Sequence, residues 1–311
     1  DLMAQTSPQI LEFGAGTGKL ARDILTELDA MGVAVHRYSI VEVSGELRAR
    51  QEESLRGFHR DGHPQVTWLD RFPPAFSGVV IGNEVLDAMP VNLVVKTGQG
   101  WQERGVALSP SGFVFQDQPC DAALQAALAA QIPHADELPV GYVTEVHPIA
   151  AGFMHSLAAM LNAGYEETGH GAATILIDYG FPAHEYYLDQ RAQGTLMCHY
   201  RHHAHPDPFY LPGLQDITAH VDFTAMARAA IDGGLDLLGY TSQAAFLLDA
   251  GIGDLLLRTA PEDLLRYLPQ ANAVQKLISP AEMGELFKVL VLGKNAQLPD
   301  KFGRNDRSHR L

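Results

Sequence analysis

Cysteine is nearly absent from this chain: Cys120 and Cys198 are the only two in 311 residues. A disulfide framework is therefore not what holds it together, and a reducing compartment is the expected setting. Long apolar runs are missing too. None approaches the roughly 18 residues that a membrane-spanning helix needs, so no membrane span is expected. The opening residues do not read as a basic, leucine-rich signal segment. The chain starts abruptly, with about eight residues before a core strand, so upstream sequence, with any targeting peptide it encoded, is expected to have been removed or never included. Positive charge is scarce, with 22 Lys and Arg against 37 Asp and Glu and a formal net charge of −15. A protein that tracks a nucleic-acid backbone needs the opposite balance, which argues against nucleic acid as a partner. An acidic surface serves solubility first, and it also suits a cationic partner.

What is present is ordinary for a globular chain: 46% hydrophobic and 19% charged residues, enough for a core without metal or disulfide staples. A short apolar run, Ile10 to Phe13, leads into a glycine turn and an amphipathic helix. "HRYSIVEVS" reads as a second strand ending in Glu42, followed by a polar helix over Gly45–Gly57. "PQVTWLD" (Pro64–Asp70) reads as a third strand. Val79–Gly82 reads as a fourth, with a turn and a short helix after it. Strands and helices alternating at these lengths predict a doubly wound parallel α/β sheet. The rhythm then changes. Residues 93–117 read as antiparallel hairpins, an insertion rather than another βα unit. An Ala-rich helix (122–130), an extended piece turning into a helix at Pro148, and a buried strand, Ala172–Gly180, follow. Residues 181–214 are rich in Pro, His and Tyr and read as a long functional loop. Helical patterns run, with interruptions, from Phe223 to about Tyr267, then a last strand, Leu286–Lys294, and a polar tail expected to fray. The expectation is one domain over 1–311 with an inserted hairpin region.

Three readings compete for "LEFGAGTGKL". A phosphate-binding P-loop requires a Ser or Thr after its Gly-Lys pair; here Leu20 follows Gly18-Lys19, with Phe13 in the place of the first glycine. A dinucleotide turn has G-x-G-x-x-G, whereas Gly14, Gly16 and Gly18 stand at every second position. Glu12, two residues before the first glycine, would repel a pyrophosphate yet accept hydrogen bonds from an ammonium, as S-adenosylmethionine carries. Glu42, at the end of the second strand, is placed to hold ribose hydroxyls, which serves NAD and S-adenosylmethionine alike. Asp70, ending the third strand, is a candidate for the adenine amino group.

The remaining motifs carry a family resemblance: "EFGAGTGKLARDIL", "VEVSGELRARQ", "GNEVLDAMPV", "TEVHPIA", "LIDYGF", "HYRHHAHPDPF", "QDITAHVDF" and "GELFKVLVLGK", in that order from Glu12 to Lys294. The ordered set resembles the MidA-like methyltransferases, whose members include a mitochondrial complex I assembly factor that methylates an arginine. The resemblance implies a class I, seven-stranded methyltransferase fold with S-adenosyl-L-methionine as donor. It also implies that Glu12, Gly14, Gly16 and Gly18 line the methionine end, that Glu42 holds the ribose, and that Asn83 and Glu84 stand at the mouth of the fourth strand. The N-terminal segment usual in that family is expected to be missing, with "DLMAQTSPQI" as its only candidate remnant.

If the acceptor is arginine, its protonated guanidinium is a poor nucleophile, and paired carboxylates can orient it and help remove the proton. Glu84 and Asp87, three residues apart and so on one side of a helical turn, are the first candidates. Glu145 is a third, and His147 a candidate proton relay. Asp178 and Tyr179 end a central strand at the ligand edge; Tyr200, Arg201 and His203 are expected to form a substrate-facing loop, with His220 and Asp222 in the same wall. Clustering of His199, His202, His203 and His205 lacks the paired spacing of a zinc site, and no metal is expected. The reading is thus an S-adenosylmethionine-dependent methyltransferase acting on an arginine of a partner protein. Rival readings are an NAD-linked oxidoreductase of Rossmann type and a non-catalytic assembly chaperone that keeps the pocket. A bacterial member would be cytoplasmic and a eukaryotic one mitochondrial; a homodimer stays open.

Overall fold

The structure is a computed structural model and describes residues 1–58, 65–201 and 203–311. In chain order, β1 (Gln9–Phe13), α1 (Lys19–Ala30), β2 (Arg37–Val41), α2 (Gly45–Leu55), β3 (Gln65–Leu69) and β4 (Val79–Asn83) come first. They are followed by β5 (Asn92–Thr97), β6 (Gly100–Ser109), β7 (Gly112–Pro119), α3 (Ala122–Gln131), β8 (Val143–Val146), α4 (Pro148–Thr168) and β9 (Ala172–Phe181). The later strands are β10 (Met197–Tyr200), β11 (His203–His205), β12 (Asp216–Thr218), β13 (Val221–Asp222), β14 (Asp236–Ser242) and β15 (Phe287–Lys294). Pro64, expected to open the third strand, and His202 lie outside the described residues.

The chain divides into two compact units, each assembled from separated segments. The first comprises Asp1–Val85, His155–Asp178 and Ala230–Arg310. Its sheet has seven strands in the order β14-β15-β9-β4-β1-β2-β3. Strands β1, β2, β3 and β4 pair in parallel, as do β4 and β9, which two-residue hairpins cannot produce and crossover helices such as α1 and α2 must. Buried Ile10, Tyr38, Ile40 and Val66 on the strands pack with Ala21 and Leu25 of α1 and Leu55 of α2. The helices bury one stripe, while β1 and β2 are buried on consecutive residues and so on both faces, as a parallel sheet covered by helices requires. β14 and β15 pair antiparallel.

The second unit comprises Leu86–Met154 and Tyr179–Ala229, with the last residue of the chain. It holds a four-stranded antiparallel sheet in the order β7-β6-β5-β8 and a three-stranded one in the order β11-β10-β12. Its core gathers Val94, Leu124, Leu128, Tyr142, Val146, Tyr186 and Tyr187.

Several expectations need correction. The segment after β4 is not a short helix. Glu84 has φ +52°, outside the right-handed helical region, and the Met89 N–H closes a turn on the Leu86 carbonyl at 3.2 Å. One interruption of the helical region 223–267 is a strand that the pattern did not reveal, β14, paired along its length with β15. The C-terminal tail is hydrogen-bonded rather than frayed: Tyr240 N–H donates to Asp306 Oδ1 at 2.9 Å, and Thr241 Oγ1 to the Asn305 carbonyl at 2.7 Å. The segment 181–214 includes β10 and β11, so it is not loop throughout. Among the described residues no helix is long and apolar enough to cross a membrane.

Candidate active site

In the first unit, register alone brings the cofactor candidates to one edge of the sheet. Phe13 of β1 pairs with Val41 of β2 and Gly82 of β4, and Val41 pairs with Leu69 of β3. The glycine turn, Glu42, Asp70 and Asn83-Glu84 therefore all follow the carboxyl ends of neighbouring parallel strands, the edge where open α/β sheets take their ligands.

The turn itself depends on glycine. Gly14, Gly16 and Gly18 have φ of +64°, +53° and +77°, a conformation that costs a residue with a Cβ roughly 1–2 kcal/mol. At Gly18 a Cβ would also press on the Gln51 backbone at 3.2 Å, whereas at Gly16 it would meet nothing within 4 Å. One side of the turn is thus clamped by α2, while at Gly16 it stays open.

Gln51 is the hub of this edge. Its Nε2 donates to the Gly16 carbonyl at 2.9 Å and to Glu42 Oε2 at 3.0 Å, and its Oε1 accepts from Trp68 Nε1–H at 2.9 Å. Glu42 Oε1 accepts from the Ser44 N–H at 2.8 Å, so its buried carboxylate is fixed in orientation. Reading the sequence by motif passes over Gln51. The available signal is its spacing: it lies midway between Leu47 and Leu55, four residues from each, which puts it on the inward stripe of α2.

Glu12 is 2% exposed and accepts from the Tyr38 hydroxyl at 2.7 Å. Burial drives its pKa up to about 7, against the lowering pull of that hydrogen bond. Two buried carboxylates beside an open left-handed turn suit a ligand carrying an ammonium and a ribose diol, and would repel a phosphate. Asp70 is placed differently: its side chain is exposed, and its Oδ1 pairs with Arg48 Nη1 at 3.2 Å.

At the end of β4, Asn83 Nδ2 donates to Glu84 Oε1 at 3.2 Å. Glu84 is exposed, its N–H donating to the Ile177 carbonyl at 2.9 Å. Buried Asp178 accepts from the Val85 N–H at 3.1 Å, so its carboxylate pins the backbone that holds Glu84 in its left-handed conformation. β9 runs on past Asp178 and Tyr179 because Gly180 and Phe181 pair with Val221 and Asp222 of β13.

In the second unit, Tyr179 donates its hydroxyl to Asp87 Oδ2. Burial raises the Asp87 pKa and the charge of Asp216 adds to it, while the Tyr179 bond opposes both. The His220 ring stacks on Phe181 with centroids 5.3 Å apart and meets Tyr179 edge-on at 5.1 Å. Asp222 caps the helix Phe223–Asp232 through the Ala225 N–H at 3.1 Å and accepts from the Tyr187 hydroxyl at 3.1 Å. Burial pushes its pKa up to about 6.

Glu145 is wholly buried and heavily engaged. Oε1 accepts from the Thr195 and Leu196 N–H groups at 2.7 and 2.9 Å, and Oε2 from the Tyr186 and Thr195 hydroxyls at 2.8 and 3.1 Å. These are the contacts of a loop anchor, and neither Tyr186 nor Thr195 was legible as a partner in a stretch without periodicity. His147 Nε2 lies 3.2 Å from the Tyr186 hydroxyl, and burial lowers its pKa to about 4, leaving the ring neutral near pH 7. Tyr200 and His203 face one another in the β10–β11 ladder, and the Arg201 guanidinium lies over the Tyr200 ring at 5.3 Å.

Comparison with known proteins gives the family. Residues 1–241 match the family of S-adenosyl-L-methionine-dependent methyltransferases. A protein from Burkholderia thailandensis, crystallised with S-adenosyl-homocysteine, shares 55% identity and superposes with a TM-score of 0.88, over 97% of this chain and 76% of that one. The mitochondrial protein arginine methyltransferase NDUFAF7 of Rattus norvegicus is 28% identical over 317 residues, 92% of this chain and 67% of its own length. The protein of that name in Homo sapiens is 28% identical over 333 residues, 97% of this chain and 70% of its own. The chain thus spans about two thirds of the length of these curated relatives.

Proposed function

Because this chain belongs to the family of S-adenosyl-L-methionine-dependent methyltransferases that its residues 1–241 match, we propose that it transfers the donor's methyl group to an arginine side chain of a partner protein. Family membership supports reading the glycine turn as a seat for the methyl donor and does not favour the nicotinamide reading. Arginine as acceptor is supported by the names of the curated relatives and by the −15 net charge, which favours encounter with a cationic partner. A reducing compartment agrees with both cysteines being free and buried.

The donor, when bound, supplies an electrophilic methyl group on a sulfonium. Glu42, oriented by Gln51 and Ser44, is the residue for the ribose hydroxyls, and Glu12 for the ammonium. The acceptor must bring a nitrogen lone pair in line with the methyl carbon, and positioning of this kind is worth up to roughly 7–11 kcal/mol in favourable systems. As the new N–C bond forms and the C–S bond breaks, the guanidinium gives up a proton. Glu84 is the residue for that proton and for holding the guanidinium fork. The observation that carries this assignment is its conformation: an exposed carboxylate on a left-handed, non-glycine residue at the ligand edge, held there by its own N–H and by Asp178. Strain of about 1–3 kcal/mol in such places marks a functional constraint.

The test is transfer of labelled methyl to matched peptides bearing arginine or lysine, followed by hydrolysis and identification of the methylated amino acid. Methylarginine from the wild type, reduced about a hundredfold in Glu84→Gln with S-adenosyl-homocysteine binding retained, is the expected result. Label on lysine would overturn the acceptor, and undiminished transfer by Glu84→Gln would remove Glu84 from the chemistry.

A further inference from the structure

The second unit contains a groove that the methyl-donor site does not use. Its volume is about 480 Å³, and Val91, Val106, Phe115, Leu196, Phe209 and Ile217 line it, with Glu103 and Arg104 among its polar members. The apolar surface extends beyond the groove. Val106 pairs with Phe115 and Leu108 with Phe113 across the β6–β7 hairpin, and directly paired residues share a sheet face. On that face Leu108 is 79% exposed, Val106 60% and Phe113 49%. The Phe113 and Phe115 rings both meet Phe209, at 6.2 and 4.8 Å, so hairpin and groove wall form one surface. An exposed apolar area of this kind on a charged chain marks an interaction site.

Charge selects the occupant. Arg104 is neutralised by a two-pronged pair with Asp117 at 2.8 and 3.0 Å. Glu103 accepts from two neutral donors, Asn92 Nδ2 at 2.9 Å and Gln118 Nε2 at 3.0 Å, which leave its charge uncompensated. Glu103 is thus the acidic group among the lining residues whose charge no cation in its hydrogen bonds offsets. Apolar walls with the Glu103 carboxylate among them fit an apolar segment that carries a cation. A second copy of this chain would bring the same carboxylate and the same −15 net charge against itself, and like charges juxtaposed at an interface are costly.

We infer that this groove is the acceptor-recognition surface, holding aliphatic or aromatic residues that flank the target arginine of the partner protein. The inference rests on the arginine reading and narrows it: the substrate class is an apolar segment with an embedded arginine, rather than a polar, glycine-rich or uniformly basic one.

The experiment uses the full chain and two fluorescent peptides of equal length and charge, one with the arginine flanked by Leu, Val and Phe, the other by Ser, Gly and Asn. Binding is read by anisotropy and methyl transfer on the same peptides, for wild type, Val106→Asp and Ile217→Asp, with calorimetric binding of S-adenosyl-homocysteine as the check on folding. Both substitutions are at exposed positions. The expected result is at least tenfold tighter binding of the apolar-flanked peptide, lost in both variants while S-adenosyl-homocysteine binding is kept. Equal binding of the two peptides, or a preference unchanged by both variants, overturns the groove assignment. Groove-dependent binding without methylation sustains the groove and sinks the arginine reading; methylation indifferent to both variants does the reverse. A particle mass that falls to the monomer in the variants would assign the face to a second copy and overturn the proposal.

Discussion

The side-chain amide of Gln51 lies 3.0 Å from the carboxylate of Glu42, a buried neutral group orienting a buried charge. Through its other contacts the same amide ties helix α2 to the glycine turn and to Trp68 of β3. Replacing it with leucine leaves three polar groups one partner short, the buried Glu42 carboxylate among them, at about 1–3 kcal/mol for each group that cannot rebond. Gln51→Leu is therefore expected to weaken S-adenosyl-homocysteine binding about tenfold, or ~1.4 kcal/mol, and to lower unfolding stability by ~2–4 kcal/mol. Calorimetric titration and urea unfolding measure the two separately; an unchanged affinity would mean that Glu42 does not need Gln51 for its orientation.

Glu12 supplies a pH dependence whose sign is fixed. Its pKa rises from 4.5 in the unfolded chain to about 7 in the fold, so the fold favours the protonated form. That contribution is fully present below pH 4.5 and is lost as the pH rises through 7, amounting to up to about 3 kcal/mol. Asp222, pushed up to about 6, acts in the same direction. Stability of the ligand-free protein should fall between pH 5 and 8, and Glu12→Gln should remove part of the slope. An ammonium beside Glu12 would favour its charged form, so S-adenosyl-homocysteine affinity should rise with pH over the same window. Tyr38→Phe, by removing a hydrogen bond that lowers this pKa, should move the midpoint upward. A binding profile that is flat in the wild type would separate Glu12 from the ammonium.

The parts of this fold that were legible in the sequence are those where one local pattern decides. β1, the three glycines and the charged helix after Ser44 announce themselves, because a left-handed turn tolerates little but glycine and an N-cap needs a short polar side chain. β14 was not legible. "DLLGYTS" carries leucines that suit a helix as well as a strand, and the pairing with β15, some fifty residues later, is what makes it extended. The turn at Leu86–Met89 defeated the helical reading for a similar reason. "EVLDAM" has good helix formers, yet Asp178 and the Ile177 carbonyl, nearly a hundred residues away in sequence, fix the backbone at Glu84 and Val85. Glu145 shows the limit for chemistry: composition reveals a carboxylate, while only the fold reveals four donors converging on it.

Gly194 tests the reading of Glu145 as an anchor. It has φ +72°, and a Cβ there would lie 2.4 Å from Glu145 Oε1. Gly194→Ala must displace a buried carboxylate from its donors, so a loss of ~3–5 kcal/mol is expected, as for breaking a buried charged network. Gly213 is the control, with φ +83° and nothing within 4 Å; alanine there should cost only the conformational penalty of ~1–2 kcal/mol. Equal losses in the two variants, measured by urea unfolding, would show that the loop at 194 yields freely and that Glu145 does not hold it.

Glu84 combines a backbone conformation that is costly for its residue type with a position at the ligand edge. Glycine adopts φ +52° without the Cβ penalty, so Glu84→Gly should relieve strain, offset in part by the greater freedom of glycine in the unfolded chain. The net expectation is a gain of up to ~1 kcal/mol in stability, with methyl transfer to arginine reduced about a hundredfold by loss of the carboxylate, or ~2.7 kcal/mol of barrier. Glu84→Ala keeps the strain and loses the carboxylate, so it should match the glycine variant in activity and fall below it in stability. Thermal unfolding and initial rates on the three proteins decide the matter. A glycine variant less stable than the alanine one would mean that the left-handed turn at the end of β4 holds no strain. The carboxylate would then have to be explained without it.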